Sequence, residues 1–181
     1  YMSAILHGEV VIIGAGPGGY AAAFRAADLG KQVILIDKNA ELGGVCLNHG
    51  CIPSKALLHI TKVIEDAKTL KKSGITFGEP KLDLDIIRSW KESVVDKLNK
   101  GIYQLAKARN VQVIQGTASF VSPTQILVKN NRGSQSITFN NSIIATGSRS
   151  SSIPGISNNH PRIINSTGAL QLPEIPKRLL V

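Results

Sequence analysis

The chain begins with two short apolar runs separated by an alanine-rich stretch. Residues 9–13 end in a glycine-rich turn, and residues 32–36 form a second run that is mostly β-branched and apolar. The intervening residues 20–29 are rich in alanine and are followed by Gly30, a common helix stop. This pattern predicts a β-α-β unit of about thirty residues. Because both strands are apolar, we expect them in a parallel sheet that is covered on both faces.

Two helices are predicted next. Residues 54–73 carry apolar side chains at near-helical spacing and end before Gly74. A longer amphipathic pattern runs to about Ala108, and either Asp83 or Asp85 is suited to cap its N-terminus. Its apolar face is expected to comprise Ile86, Ile87, Trp90, Val94, Leu98, Ile102 and Leu105.

From Val111 onward the hydrophobic period becomes two, which is typical of β-strands. Turn residues separate four short strands, which are predicted at 111–114, 118–121, 125–129 and 136–139. Residues 142–147 then return to a buried-strand pattern and predict a further strand of the parallel sheet. The predicted fold is therefore α/β and Rossmann-like, with a parallel sheet, a long helical segment and a small antiparallel β-meander insertion at about 111–140.

The composition changes after this fold. Residues 1–150 are predicted to form one domain, and residues 151–176, rich in Ser, Pro and Asn, read as a linker. Within that linker we expect at most a short helix near 166–170. The final residues 177–181 resemble the opening strand of a further domain that is cut off after it starts.

The formal net charge of +9 invites a nucleic-acid hypothesis, but the 21 Lys and Arg residues are scattered and interleaved with acids. Only 4% of residues are aromatic, which leaves few platforms for stacking bases. The apolar run near the start is too short and too rich in glycine to span a bilayer, and no signal peptide is recognisable. We therefore predict no nucleic-acid partner, no membrane association and a cytoplasmic location.

The turn after the first strand matches the dinucleotide fingerprint G-x-G-x-x-G with Gly14, Gly16 and Gly19. In this motif the glycines allow a tight turn, close approach of the backbone to a pyrophosphate and close packing of helix on strand. Asp37 ends the second strand, where a carboxylate accepts hydrogen bonds from ribose hydroxyls. The fingerprint alone does not distinguish FAD from NAD.

Cys46 and Cys51, the only cysteines, lie five positions apart and directly after Gly43-Gly44. A disulfide between them closes a short loop and so adds little stability, which makes thiol exchange a better reason for the pair. They are expected near a helix N-terminus, where the dipole favours thiolate. Lys55 follows Cys51 by about one helical turn and supplies a cation there.

Three other interpretations of the cysteines compete. In the first interpretation the two cysteines are buried core residues, although the polar Asn48 and His49 lie between them. In the second they bind zinc, with Cys46, His49, Cys51 and His59 as ligands, but the spacing matches none of the usual zinc motifs. In the third the pair is a redox sensor that works without a flavin.

The fingerprint at 14–19, the segment Cys46–Leu58 and Ala145-Thr146-Gly147 resemble the FAD-dependent pyridine nucleotide–disulfide oxidoreductases. The resemblance covers essentially the whole chain, which corresponds to the front part of that family's length. The segment Ile52-Pro53-Ser54-Lys55 is most similar to the lipoamide-dependent members, because glutathione reductases usually have Val-Pro-Lys-Lys there.

The resemblance implies that Cys46 exchanges with the substrate thiol, that Cys51 lies nearest the flavin and that Lys55 lies near flavin N5. The catalytic residues are thus expected to be Cys46, Cys51 and Lys55. The residues expected to bind FAD are Gly14, Ala15, Gly16, Pro17, Gly18, Gly19, Asp37, Lys38, Gly43, Gly44, Val45, Cys46, Lys55, Gly116, Thr117, Ala118, Ala145, Thr146 and Gly147.

The resemblance further implies an enzyme that oxidises protein-bound dihydrolipoamide through a Cys46–Cys51 disulfide and FAD, and reduces NAD. Its partners are then the lipoyl domains of 2-oxo-acid dehydrogenase complexes and a second copy in a homodimer. The family's catalytic base is a His paired with Glu in a C-terminal domain, which none of this chain matches. We therefore expect the 181-residue chain to be inactive alone and to bind FAD weakly. The alternatives are a glutathione or mercuric reductase-like enzyme, or a nucleotide-binding module without turnover.

Overall fold

The computed structural model describes residues 5–156 and 160–181, so the predicted linker lies partly outside the described residues. The strands are β1 (Leu6–Ile13), β2 (Val33–Asp37), β3 (Gln112–Gln115), β4 (Thr117–Ser122), β5 (Gln125–Asn130) and β6 (Gly133–Ile144). The helices are α1 (Pro17–Asp28), α2 (Gly44–His49), α3 (Cys51–Thr69), α4 (Leu84–Ala108) and α5 (Ser166–Leu170), and a 3₁₀ turn over Leu70–Ser73 follows α3. These elements group into two compact units, residues 1–48 with 98–148 and residues 49–97 with 149–181.

All six strands belong to one mixed sheet in the first unit. Their order is β3-β2-β1-β6-β5-β4. The pairs β3–β2, β2–β1 and β1–β6 are parallel, whereas β6–β5 and β5–β4 are antiparallel. The prediction of an α/β fold with a parallel sheet and a small antiparallel meander is confirmed.

The division between the two parts of the sheet differs from the prediction. Strand β3 pairs parallel with β2, so the predicted start of the meander at about 111 is too early and the antiparallel part begins with β4. A single strand, β6, replaces the two strands predicted at 136–139 and 142–147. The side chains of Asn140 and Asn141 are exposed, and the pairing with β1 continues past them.

The two faces of the parallel strands each bury an apolar cluster. Neighbouring residues alternate between them, so Val11 lies in one cluster and Ile12 in the other. The first cluster comprises Ile12, Ala15, Ala23, Val33, Leu35, Leu42, Ala106 and Val111. The second comprises Val11, Ile34, Ile36, Ile126, Val128, Ile137 and Phe139. Each large side chain buried in this way stabilises the fold by about 1.5–3 kcal/mol before entropy is counted.

Helix α4 begins as predicted but buries a different stripe. The Asp83 carboxylate accepts a hydrogen bond from the Ile86 N–H at 3.0 Å, which identifies Asp83 as the N-terminal cap. Of the predicted apolar face, Ile86, Trp90, Leu98 and Leu105 are exposed. The buried positions are instead Lys91, Val95, Asn99 and Ala106. This stripe contains polar residues because the Lys91 and Asn99 side chains donate hydrogen bonds to backbone carbonyls.

The second unit is mainly helical. Helix α3 passes into the 3₁₀ turn and stops at Gly74, which has a left-handed backbone, as predicted. The predicted short helix is confirmed as α5, whose cap Asn165 accepts from the Gly168 N–H at 3.0 Å. Lys91 donates to the Leu170 carbonyl at 2.7 Å and Arg88 to that of Leu172 at 2.9 Å, so the start of α4 holds the end of α5.

Residues 177–181 are not in a strand in the described part of the chain, and their assignment to the start of a further domain stays a prediction. None of the helices in residues 5–156 and 160–181 combines the length and hydropathy that membrane crossing requires.

Candidate functional site

The glycine-rich loop lies at the carboxyl edge of the parallel strands. The Gly14 N–H donates to the Ile36 carbonyl at 2.7 Å, which ties the end of β1 to β2. The Ala145 N–H donates to the Ile13 carbonyl at 2.8 Å and ties the same point to the end of β6. The loop is thus anchored on both sides, at the edge where α/β sheets bind ligands.

Helix α1 starts in this loop and packs very closely on it. A Cβ added to Gly19 would lie 1.7 Å from the Gly14 carbonyl oxygen, so only glycine fits. Pro17 occupies the first turn, and no side chain caps the helix at Gly16. The first N–H groups of α1 are therefore directed, with the positive end of the helix dipole, at whatever lies in front of the loop.

The segment Gly43-Gly44 lies directly against the glycine-rich loop of residues 14–19. The Gly43 N–H donates to the Ala15 carbonyl at 2.8 Å. Gly44 has a φ of +59°, and a Cβ there would lie 2.7 Å from the Gly16 Cα, so backbone meets backbone without side chains between. The two glycine segments together form a cradle lined by main chain, which we call the glycine cradle (residues 14–19 and 43–44).

Asp37 points into the glycine cradle from the end of β2. Its carboxylate accepts the Ala15 N–H at 2.7 Å and the Asn39 N–H at 2.9 Å. These two bonds fix the orientation of a half-buried carboxylate whose remaining lone pairs are available to hydroxyl groups. Lys38, the next residue, is exposed.

The turn between β3 and β4 adjoins Asp37. The buried Gly116 donates its N–H to the Asp37 carbonyl at 2.8 Å, Thr117 is exposed and Ala118 is half-buried. The structure therefore brings together, within the first unit, the predicted residues of the fingerprint loop, Asp37, Gly43, Gly44, Gly116 and Ala145.

The cysteines occupy two successive helices. Cys46 lies in α2 and Cys51 is the first residue of α3, and both are half-buried. The first turn of α3 contains buried Pro53 and is closed by the Ser54 N–H, which donates to the Gly50 carbonyl at 3.0 Å. Lys55 is exposed one turn after Cys51. Cys46 belongs to the first unit, and Cys51 and Lys55 to the second, so their joint action stays a prediction.

Sequence reasoning missed two residues of α4 that hold the cysteine segment and the residues before it. The buried Asn99 donates to the Leu42 carbonyl at 2.6 Å and to the Asn48 side-chain oxygen at 3.2 Å. Tyr103, one turn later on α4, donates its hydroxyl to the Ala40 carbonyl. Burial raises the pKa of the Tyr103 phenol, and the Glu41 and Asp37 carboxylates raise it further, so the hydroxyl remains a donor at neutral pH. The sequence did carry a sign of this contact. The polar Asn99 follows the apolar Val95 by four positions, about one helical turn, and so lies on the same side of α4.

Zinc finds no support in the geometry. Among the described residues, no group of three or more His, Cys, Asp or Glu side chains is arranged to hold a metal ion.

Comparison with known proteins decides the family. Residues 8–181 match the family described as pyridine nucleotide-disulphide oxidoreductase. The chain belongs to this family. Its relatives include the dihydrolipoyl dehydrogenase of Vibrio cholerae, 51% identical over 180 residues, which cover 99% of this chain and 38% of the relative. That of Haemophilus influenzae is 50% identical, with 99% and 38% covered, and that of Bacillus subtilis is 48% identical, with 96% and 36% covered.

The chain thus spans little more than a third of the curated oxidoreductases that it matches. A solved relative is a copper(II) complex of a variant of the HOCl-induced flavoprotein disulfide reductase RclA from Escherichia coli. It is 30% identical with a TM-score of 0.72, over 92% of this chain and 34% of that one. The predicted family resemblance is confirmed, and FAD and NAD are confirmed as the cofactor and co-substrate of the family.

Proposed function

We propose that this chain is the FAD-binding and dithiol-bearing part of a dihydrolipoyl dehydrogenase, which oxidises protein-bound dihydrolipoamide and reduces NAD. The observation that carries this proposal is the glycine cradle with Asp37 at its edge, followed in the chain by Cys46 and Cys51. The Vibrio cholerae and Haemophilus influenzae relatives, 51% and 50% identical, bear this name, which supports the choice of substrate.

The residues present fit FAD. A Cβ on Gly44 would fill the cradle, and the uncapped start of α1 suits a pyrophosphate. Gly14–Gly19 would hold the pyrophosphate, Asp37 the adenosine ribose, and Gly116–Ala118 the adenine. Gly43–Val45 and Ala145–Gly147 would lie along the rest of the cofactor, with Lys38 exposed beside Asp37. When bound, FAD accepts two electrons from the dithiol and passes them as hydride to NAD.

The work of the protein itself is thiol–disulfide exchange. A lipoyl thiolate attacks the Cys46 sulfur, the Cys46–Cys51 bond breaks, and Cys51 leaves as a thiolate. The second lipoyl thiol then loses its proton, attacks the lipoyl sulfur of the mixed disulfide and releases Cys46 as a thiolate. The substrate has become a disulfide and the protein a dithiol. Lys55, placed one turn after Cys51, would stabilise the negative charge of the reduced site.

The same proposal includes the partners and the place of action. The whole enzyme would form a homodimer in the cytoplasm and accept lipoyl domains of 2-oxo-acid dehydrogenase complexes. The 181-residue chain alone would not reduce NAD with dihydrolipoamide, because no residue in it is assigned as the base.

Trapping the mixed disulfide tests the roles of the two cysteines. In Cys51→Ser, Cys46 is expected to form a stable adduct with glutathione when treated with oxidised glutathione, which has no second thiol to release it, and peptide mass mapping would locate that adduct. The matched variant Cys46→Ser exposes only the flavin-side thiol and is expected to form the adduct at least tenfold more slowly. Equal rates in the two variants, or a Cys46→Ser variant of the full-length enzyme with undiminished NADH formation, would overturn the proposal.

A further inference from the structure

The amide of Asn99 occupies a position where an apolar side chain would be expected. It lies on the buried stripe of α4 and is 9% exposed. Burying an amide is unfavourable unless its groups are hydrogen-bonded. Both donor positions are used, at 2.6 Å to the Leu42 carbonyl and 3.2 Å to the Asn48 side-chain oxygen. A buried polar residue that directs both of its donor positions to one short segment points to a role in arranging that segment.

The segment that Asn99 holds carries Cys46. The side-chain amide of Asn48 donates hydrogen bonds to the Leu42 carbonyl at 2.9 Å and to the Gly44 carbonyl at 3.0 Å. The Leu42 carbonyl therefore accepts from both asparagines, and the network joins the residues on either side of Cys46. Helix α2 has only six residues, too few for a helix to be stable by itself. Its conformation has to come from contacts such as these.

We propose that Asn99 is a positioning residue for the redox dithiol: through Leu42 and Asn48 it fixes the short helix that carries Cys46. This inference rests on the proposed function, since it gives the Cys46 thiol a role in disulfide formation. Asn99 acts through the Leu42 carbonyl and the Asn48 side chain, on either side of Cys46.

Fixing Cys46 shifts a measurable equilibrium. In glutathione buffers the protein dithiol and oxidised glutathione give the protein disulfide and two reduced glutathione molecules. If α2 is held in one conformation, less conformational entropy is lost when the disulfide closes. Loss of the two hydrogen bonds of Asn99 should lower this equilibrium constant about five- to thirtyfold. A tenfold fall corresponds to a rise of about 30 mV in the reduction potential.

The experiment uses the full chain equilibrated in glutathione buffers, quenched with acid, alkylated and weighed by mass spectrometry. Asn99→Leu keeps the approximate size of the side chain and removes both donors. Val128→Ala is the matched control, because it removes buried volume from the second cluster, which excludes Leu42 and Asn99. We expect Asn99→Leu to lower the equilibrium constant, whereas Val128→Ala leaves it within twofold of the wild type although the chain is less stable.

A second readout follows the helix directly. The Leu47 N–H donates to the Gly43 carbonyl at 3.2 Å, so its hydrogen exchange should accelerate at least fivefold in Asn99→Leu and remain unchanged in Val128→Ala. If Asn99→Leu does not fold, Asn48→Ala removes the acceptor of the second Asn99 hydrogen bond from a half-buried position and should move both readouts in the same direction.

The two proposals fail in different ways. A wild-type chain that forms no disulfide at any glutathione ratio contradicts the proposed function, while the Leu47 exchange still tests the positioning. A wild-type disulfide whose equilibrium is unchanged in Asn99→Leu or Asn48→Ala, or shifted as much by Val128→Ala, overturns the positioning role.

Discussion

The two compact units differ sharply in how they bury apolar side chains. In the first, the strands are covered on both faces, and residues such as Ile12 and Leu35 are completely buried. In the second, Ala56 and Val95 are the buried hydrophobic residues among those described, while Leu58, Val63 and Phe77 are more than half exposed. The first unit therefore has the packing of a rigid scaffold and the second does not.

The two units also carry different parts of the proposed site. The glycine cradle, which has to match a ligand closely, is built from main chain on the well-packed unit. Cys51 and Lys55 lie on α3, whose buried side chains are limited to Pro53 and Ala56. Local opening costs less free energy where few apolar contacts are lost. In the proposed function, cofactor binding would thus rest on the well-packed unit, and part of the redox chemistry on the less tightly packed one.

The largest expected effect separates the two units directly. Leu35→Ala in the sheet should lower the free energy of unfolding by about 2–5 kcal/mol, because it leaves a cavity in the first cluster. Leu58→Ala on α3 should change it by less than about 0.5 kcal/mol, since that side chain is 64% exposed. Urea denaturation measures both, and equal losses would contradict the contrast in packing.

Two neighbouring glycines of α1 test how tightly the cradle is packed. Gly19→Ala should cost about 1–3 kcal/mol of stability, because the new Cβ meets the Gly14 carbonyl. Gly18→Ala has open space around its Cβ and should stabilise the helix by about 0.5–1 kcal/mol. Thermal unfolding followed by circular dichroism compares them, and the same sign for both would argue against the close approach.

The N-terminal cap of α4 offers a smaller test within the second unit. Asp83→Ala removes the acceptor of the Ile86 N–H and should cost about 1 kcal/mol. Asp96→Ala, at an exposed position in the middle of the same helix, should change stability by less than about 0.5 kcal/mol. If the two variants had the same urea midpoint, the cap would contribute nothing to the stability of the chain.

The smallest effect concerns the half-buried carboxylate of Glu9 on β1. The Gln32 N–H and then the Lys31 ammonium hold the pKa of Glu9 below its ordinary value of 4.5. The folded state thus favours the ionised form, so its contribution is present above pH 4.5 and is lost as the pH falls through the lowered pKa. Glu9→Gln should therefore be slightly less stable than the wild type at pH 7 but not at pH 3. If the difference in urea midpoint between the wild type and Glu9→Gln grew as the pH fell, this prediction would be wrong.

The features that the sequence predicts well are local. The β-α-β unit, the fingerprint, the Asp83 cap and the stop at Gly74 each depend on residues close together in the chain. Their spacing reflects turn and cap geometry directly. For this reason the glycines of the cradle could be predicted, but the contacts between its two segments could not.

The features that were missed depend on distant residues. Asn99 and Leu42 are 57 positions apart, and Tyr103 and Ala40 are 63 apart. Helix α4 carries apolar residues on more than one side, so its pattern did not reveal which stripe packs on the sheet. Likewise, the parallel pairing of β3 with β2 is decided by the strand order, which short apolar runs do not specify.

Strand β6 has a consequence for the order in which the sheet assembles. Its antiparallel partner β5 is a hairpin neighbour, whereas its parallel partner β1 begins some 130 residues earlier, as in the pair Leu6 and Ile137. Closing so long a loop is entropically unfavourable and slow, so the hairpin should form first and then serve as the template on which β1 docks. Pulse-labelling exchange should protect Leu127 before Ile12. During synthesis, β1 would leave the ribosome before the other five strands of this sheet and yet be among the last of them to pair.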